Sequence, residues 1–119
     1  MIEVRIEARP WGLSLSATLD GQEAGRARAV RIADGSPLGI AGPVWRFSAG
    51  VWLQRRGVGI ELFAAAAEAA DGPIVRGTEL RAAGLAEAGT TAAGERLWGS
   101  RRLAARLRIE NGRAYGRNR

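Results

Sequence analysis

Residues 51 to 73 constrain the fold most, because they place a strand, a glycine turn and a helix in one short segment. Val51, Trp52 and Leu53 favour extended backbone, and Gly57 and Gly59 permit positive φ or close approach of a ligand. Ile60, Phe63, Ala64 and Ala67 then recur at helical spacing, and Gly72 followed by Pro73 closes the helix. A strand that delivers a glycine turn to a helix N-terminus leaves several backbone N–H groups unpaired and aimed outward, where the helix dipole favours negative charge. Phosphate is the natural ligand of such an arrangement, and Arg55 and Arg56 add charge of the right sign. The helix also leads into a second short strand candidate, Pro73-Ile74-Val75-Arg76, and a helical crossover makes the two strands it joins parallel.

Before this segment the pattern has a period of two. Ile2, Val4, Ile6 and Ala8 alternate with Glu3, Arg5, Glu7 and Arg9, the signature of a half-buried strand that ends at Pro10-Trp11-Gly12. Leu13, Leu15, Ala17 and Leu19 alternate with Ser14, Ser16 and Thr18, and Asp20-Gly21 is a hairpin turn into a third strand, Gln22 to Ile32. The apolar phase slips from Ala27 and Ala29 to Val30 and Ile32, which predicts a bulge near Ala29. Asp34 to Pro43 is a loop by composition, in the position of a lid, since its prolines and glycines exclude a long helix or a central strand. A fourth strand runs from Val44 to Phe47 and Val51 to Leu53; at Ser48-Ala49-Gly50 a bulge and a hairpin turn fit equally well.

After the helix, Gly77 to Gly89 reads as loop with at most one helical turn, because Gly84 and Gly89 weaken the pattern of Leu80, Ala83 and Leu85. Thr90 or Thr91 is a candidate N-cap for a helix from Ala92 to about Arg102. Arg106 to Glu110 and Arg113 to Tyr115 flank Asn111-Gly112, a strong hairpin signal that sets Glu110 opposite Arg113 as a cross-strand ion pair.

At 119 residues the chain suffices for one domain, residues 1–119. With no cysteine and no histidine, disulfides, the usual zinc sites and every histidine-dependent triad are excluded. The apolar stretches are short, and Met1-Ile2-Glu3-Val4-Arg5 has no signal-peptide hydrophobic region, so a soluble cytoplasmic protein without membrane contact is expected. The net charge of +6 comes entirely from arginine, accompanied by abundant alanine and glycine, which points to a GC-rich genome, bacterial or phage. The arginines are spread along the chain and often alternate with acids, so nucleic-acid binding is expected to be weak and non-specific. A positive protein also attracts the phosphates of smaller anions.

Gln54-Arg55-Arg56-Gly57-Val58-Gly59 resembles the Q/R-x-x-G-x-G/A motif that grips the pyrophosphate of acetyl-coenzyme A in the GNAT superfamily of N-acyltransferases. Leu62-Phe63 stands where that family usually has Leu-Leu, and Asp20-Gly21-Gln22-Glu23-Ala24-Gly25 resembles the D-G-x-x-V/A-G turn between its second and third strands. Together with the element order, the resemblance covers most of the chain. It implies a GNAT-like α/β fold, a mixed and mostly antiparallel sheet with a central parallel strand pair and few helices, whose parallel strands splay apart to admit the cofactor. It implies that Gln54, Arg55, Arg56, Gly57, Val58 and Gly59 bind the pyrophosphate of acetyl-coenzyme A, a co-substrate. Val51, Trp52 and Leu53 would lend backbone groups to the pantetheine arm and the thioester carbonyl.

Two departures bear on function. The family places one or two helices between its first strand and the Asp-Gly hairpin, where they shape the acceptor side; here only about three residues are free, so the acceptor cleft is open or is completed by a second subunit of a homodimer. Thr91, Gly94, Leu97 and Trp98 resemble the family's N-x-x-A-x-x-L-Y segment, with tryptophan in place of the tyrosine that often protonates the leaving thiolate. Tyr115 is the one tyrosine that could substitute, and Glu61 and Glu79 are the carboxylates considered as base; the catalytic residues stay unassigned. The resemblance implies an acetyl-coenzyme A-dependent N-acetyltransferase of an unidentified amine, or an acyl-coenzyme A-binding protein with weak catalysis. The alternative is a small arginine-rich nucleic-acid-binding protein, with Trp11, Trp45 and Trp52 as stacking platforms.

Overall fold

The period-two pattern of the N-terminal segment becomes three antiparallel strands: β1 (Ile2–Arg9), β2 (Gly12–Leu19) and β3 (Gln22–Ile32). In this computed structural model, which describes residues 1–51, 57–86 and 96–117, they open a seven-stranded sheet. The chain continues through β4 (Val44–Val51), α1 (Val58–Ala69), β5 (Ile74–Val75), α2 (Gly77–Ala82), α3 (Arg101–Arg106), β6 (Arg108–Glu110) and β7 (Arg113–Tyr115). Strand order is β1-β2-β3-β4-β5-β7-β6. Among the described residues only β4 and β5, joined by α1, are parallel; the architecture is α/β with a mostly antiparallel sheet. No helix among the described residues is long and apolar enough to cross a membrane.

Both hairpin turns form where Asp-Gly and Asn-Gly stand, with positive φ at Asp20, Gly21, Asn111 and Gly112 as a two-residue turn of this hand requires. The bulge lies at Ala24 and not near Ala29. Ala17 pairs with Gly25 and Thr18 with Glu23, which leaves Ala24 as the extra residue, while Ala29 keeps unbroken register with Leu13 and Phe47. The phase slip has another cause: the sheet has a core on each face. Ala27 and Ala29 face the main core, and Ile32 packs on the opposite side with Val44, Val75 and Leu80.

The fourth strand is also continuous, against the expectation of a break at Ser48-Ala49-Gly50. Every residue from Val44 to Val51 pairs with β3, and the shared ladder overrides the weak local preference of alanine and glycine. The helix ends at Ala69, with Ala70 already extended, two residues before Gly72. Gly72 is instead fixed by a close approach, since a Cβ there would lie 2.2 Å from the Pro43 carbonyl oxygen.

The segment read as loop after β5 forms α2, which lays the fully buried Leu80 on the smaller core. Further on, residues 96–98 are helical, but the helix expected to reach Arg102 breaks at Gly99. Ser100 then caps the separate helix α3, its hydroxyl accepting from the Leu103 backbone N–H at 3.4 Å. Arg106 closes α3 and does not begin the strand. Glu110 does face Arg113 in register, but the expected ion pair between them is replaced: Arg108 pairs with Glu110 at 2.8 Å, and Arg113 reaches Glu79 at 2.8 Å and the Leu38 carbonyl at 3.1 Å.

Asp71 ties the end of α1 to the sheet. Its carboxylate accepts from Arg31 of β3 at 2.9 Å and from the indole N–H of Trp45, a β4 residue only 4 % exposed, at 2.8 Å. The Arg31 hydrogen bond, helped by Trp45 and opposed by partial burial, holds the Asp71 carboxyl below its ordinary pKa. Its stabilisation is therefore complete above the ordinary carboxylate value of about 3.9 and is lost as pH falls through the lower folded value. Asp71→Ala should cost about 1 to 2 kcal/mol in urea denaturation at pH 7, mostly through the stranded indole N–H, because the half-exposed Arg31 pair contributes little. Asp71→Asn, whose amide oxygen still accepts from Trp45, should lose less, and Asp71→Ala should show a flatter loss of stability below about pH 4 than the parent.

Candidate functional site

The parallel pair β4 and β5 meets at one register position, Trp45 opposite Ile74. Beyond it β4 runs on to Val51, whereas β5 stops at Val75 and the chain turns into α2. Among the described residues, the edge of β4 from Phe47 to Val51 that faces away from β3 has no strand neighbour. An aromatic column crosses the floor of this opening. Phe47 meets Phe63 of α1 edge-on at 4.8 Å, Phe63 meets Trp98 edge-on at 5.1 Å, and the Arg76 guanidinium lies 5.2 Å from the Trp98 ring. Phe47 and Arg76 stand just past the paired ends of β4 and β5, so the column spans the gap where the strands part.

The N-terminus of α1 opens beside the same edge. Gly57 is its N-cap in the left-handed conformation (φ 78°, ψ 10°) and, being glycine, has no side chain with which to cap the first turn. The first intrahelical bond runs from the Glu61 N–H to the Gly57 carbonyl at 3.0 Å, which leaves the N–H groups of Val58, Gly59 and Ile60 without helical acceptors. A glycine in this conformation leading into a helix turns successive N–H groups to one side and makes an anion-binding concavity. Elements distant in sequence converge there. The Arg102 guanidinium of α3 lies 2.7 Å from where a Gly57 Cβ would be, and Leu97 Cδ1 lies 3.9 Å from the corresponding position at Gly59.

Of the residues anticipated for the cofactor, Val51 ends β4 half-buried against the main core, and Gly57, Val58 and Gly59 form the start of α1. Val58 is 1 % exposed and packs into the main core, while Gly57, Gly59 and Ile60 around it are half-buried. Trp52, Leu53, Gln54, Arg55 and Arg56 lie outside the described residues, as do Thr91 and Gly94. Arg102 was not anticipated; nothing in its local pattern, in the first turn of the short helix α3, distinguishes it from the other arginines.

The carboxylates considered as base are engaged. Glu61 accepts from Arg106, whose pKa that hydrogen bond pushes further up, and this pair locks α3 to α1. Glu79 is held by Arg113. Trp98, 9 % exposed, is part of the main core, and Tyr115 lies under Arg108, 4.3 Å from its guanidinium. No protein-family model, curated protein or solved structure matches the chain.

The two glycines of the turn should respond differently to substitution. Gly57→Ala forces a side chain into the left-handed region and should lower stability by about 1 to 2 kcal/mol. At Gly59 a Cβ meets nothing nearer than 3.8 Å, so Gly59→Ala should raise it by about 0.5 to 1 kcal/mol. Thermal unfolding of the two variants checks this, and equal shifts would refute the turn geometry.

Proposed function

We propose that the chain is a small GNAT-type protein that binds acetyl-coenzyme A at the start of α1, either as an N-acetyltransferase of an unidentified amine or as an acyl-coenzyme A-binding protein with weak catalysis. The observation that carries this reading is the uncapped first turn of α1 behind left-handed Gly57, set beside the stretch of β4 that outruns β5. The strand order, with its central parallel pair joined by α1, supports it as well.

At Gly59 a Cβ would make only ordinary contacts among the described residues, 3.8 Å from Val51 and 3.9 Å from Leu97, and the absence of a side chain lets a phosphate approach the backbone closely. The N–H groups of Gly59 and Ile60 would hold the pyrophosphate with Arg102, and the free edge of β4 would hold the pantetheine arm. When bound, acetyl-coenzyme A supplies an activated acyl thioester. The protein's own groups favour binding over fast chemistry. Trp98 is packed under Arg76 and has no proton acidic enough for a leaving thiolate, and both candidate carboxylates are committed to arginines.

For nucleic acid, the expected stacking surface is reduced. Trp45 is buried with its indole bonded to Asp71, and Trp11 carries Arg28 at 5.4 Å from its ring. That agrees with weak, salt-sensitive attraction and no sequence preference.

Titration with acetyl-coenzyme A and, separately, with single-stranded DNA at physiological salt tests the reading. Gly59→Val should abolish coenzyme binding, and Arg102→Ala should weaken it by about 1 to 3 kcal/mol, the range of charge-assisted hydrogen bonds. Undiminished affinity in both variants, or sequence-selective nanomolar DNA binding, would overturn it. Trp98→Tyr keeps an aromatic ring in the core and should raise acetyl transfer to an amine panel, toward the roughly 10²- to 10⁴-fold that general acid–base assistance supplies.

A further inference from the structure

Among the described residues, strand β1 forms one edge of the sheet and pairs only with β2. It is eight residues long, unbulged, and free of proline and glycine, so of the devices that ordinarily keep an exposed edge from pairing with another chain it carries only charged side chains. The direction of its free backbone groups follows from one hydrogen bond. Asp20 N–H donates to the Met1 carbonyl at 3.2 Å, so the groups of Met1 and, by the period of two, those of Glu3, Arg5, Glu7 and Arg9 point to β2. The N–H and C=O groups of Ile2, Val4, Ile6 and Ala8 therefore point away from the sheet.

The same residues carry uncovered apolar surface. Ile2 and Val4 are half-buried against the main core, while Ala8 is exposed and Ile6 is 39 % exposed. On the other face Glu3, Arg5, Glu7 and Arg9 alternate in sign; Glu7 and Arg9 pair within the strand at 2.6 Å, and neither Glu3 nor Arg5 has an ion pair among the described residues.

We infer that β1 pairs antiparallel with β1 of a second copy of this chain, centred on Ile6 opposite Ile6, to join two sheets edge to edge. The charges exclude every register centred on an odd position, and of those centred on an even position Ile6 aligns the most strand residues. Centring on Ile6 places Glu3 opposite Arg9 and Arg5 opposite Glu7, so every charged pair is of opposite sign, and Val4 meets Ala8 on the apolar face. Centring on Arg5 would place Arg5 against Arg5 and Glu3 against Glu7, like charges throughout. In the Ile6-centred register the opposed residues Ile6 with Ile6, and Val4 with Ala8, are those whose backbone groups point outward, so each pair closes a complete set of hydrogen bonds. The contact is two-fold and self-complementary, as a closed dimer requires. This interface is independent of the proposed coenzyme site and goes beyond it.

Sedimentation velocity over a range of protein concentrations tests the assignment. The parent chain should show a concentration-dependent dimer. Arg5→Glu sets Glu against Glu7 of the second copy, and Glu7→Arg sets Arg against Arg5, so each variant alone should be monomeric with an unchanged far-UV spectrum. An equimolar mixture of the two should dimerise again, because Glu at position 5 of one copy then faces Arg at position 7 of the other, and the reverse. The doubly substituted chain, Arg5→Glu with Glu7→Arg, should dimerise on its own. A parent chain that stays monomeric throughout, a Glu7→Arg variant that stays dimeric, or single variants that do not recombine on mixing would each overturn the interface.

Discussion

The fold depends on how closely α1 can approach the sheet. Ala64, Ala66 and Ala67 on the helix, with Ala70 just beyond its end, join one core with Ala17, Ala24, Ala27 and Ala29 of the strands, so small residues stand on both sides. At Gly25 even a methyl group would crowd the seam, since a Cβ there would lie 3.0 Å from the Gly50 carbonyl oxygen, 3.2 Å from Val58 and 3.4 Å from Leu62. The far end of the helix is held as tightly: a Cβ on Gly116 would lie 2.8 Å from the Ala67 carbonyl oxygen, and the Arg117 N–H donates to Glu68 at 2.8 Å. Close packing of this kind converts backbone placement into stability, because each atom in contact contributes dispersion and each buried methylene leaves water. It also explains why the bulge sits at Ala24. The extra residue buries Ala24 and Gly25 in succession and gives the first turn of α1 a shallow bed.

From that placement the opening between β4 and β5 follows. A helix lying low over β2, β3 and β4 starts beside the end of β4, and its other end must feed β5 back alongside Trp45. Asp71 fixes that return by holding Arg31 and Trp45 at once, and the backbone N–H of Trp45 donates to the Pro73 carbonyl at 2.9 Å. Since β5 has only two residues before α2 begins, the parallel pair separates at once, and aromatic side chains fill the floor in place of a longer ladder. The polar first turn of α1 and the guanidinium of Arg102 are thus left at the rim of a hydrophobic floor.

Period and turn chemistry made much of this legible. The alternation of residues 2–9 and 13–19, the Asp-Gly and Asn-Gly turns, the third strand from Gln22 to Ile32 and the parallel return at Ile74-Val75 are local signals, and the structure agrees with each. The misread strand break and ion pair share a cause, which is that the deciding contact lies far away in sequence. Ser48, Ala49 and Gly50 look like a break but are held by Arg28, Ala27 and Arg26 across the ladder. Arg113 looks paired with Glu110 but is drawn to Glu79 and the Leu38 carbonyl on the other core. At the site, the glycines of the turn announce themselves through conformation, whereas Arg102 belongs to it only through tertiary contact.

The uncovered end of the first hairpin and the open sheet edge have one origin in the brevity of the β1–β2 connection. Only Pro10 and Trp11 separate the two strands, so β1 and β2 pair along their whole length and no helix intervenes between them to lie over their outer end. Helix α1 reaches Ile2 and Val4, but Ile6 and Ala8 project past its cover. A longer connection would shield that surface and occupy the edge; a two-residue turn does neither. A chain this short has little area with which to bury both faces of a seven-stranded sheet, and the surplus is concentrated where the last strand has no neighbour. Self-pairing through β1 would use that surplus directly, since it covers Ile6 with Ile6 and satisfies the outward backbone groups in the same contact. The alternating charges on the reverse face then exclude the registers that would set like charges together, and the length of the overlap favours the one centred on Ile6.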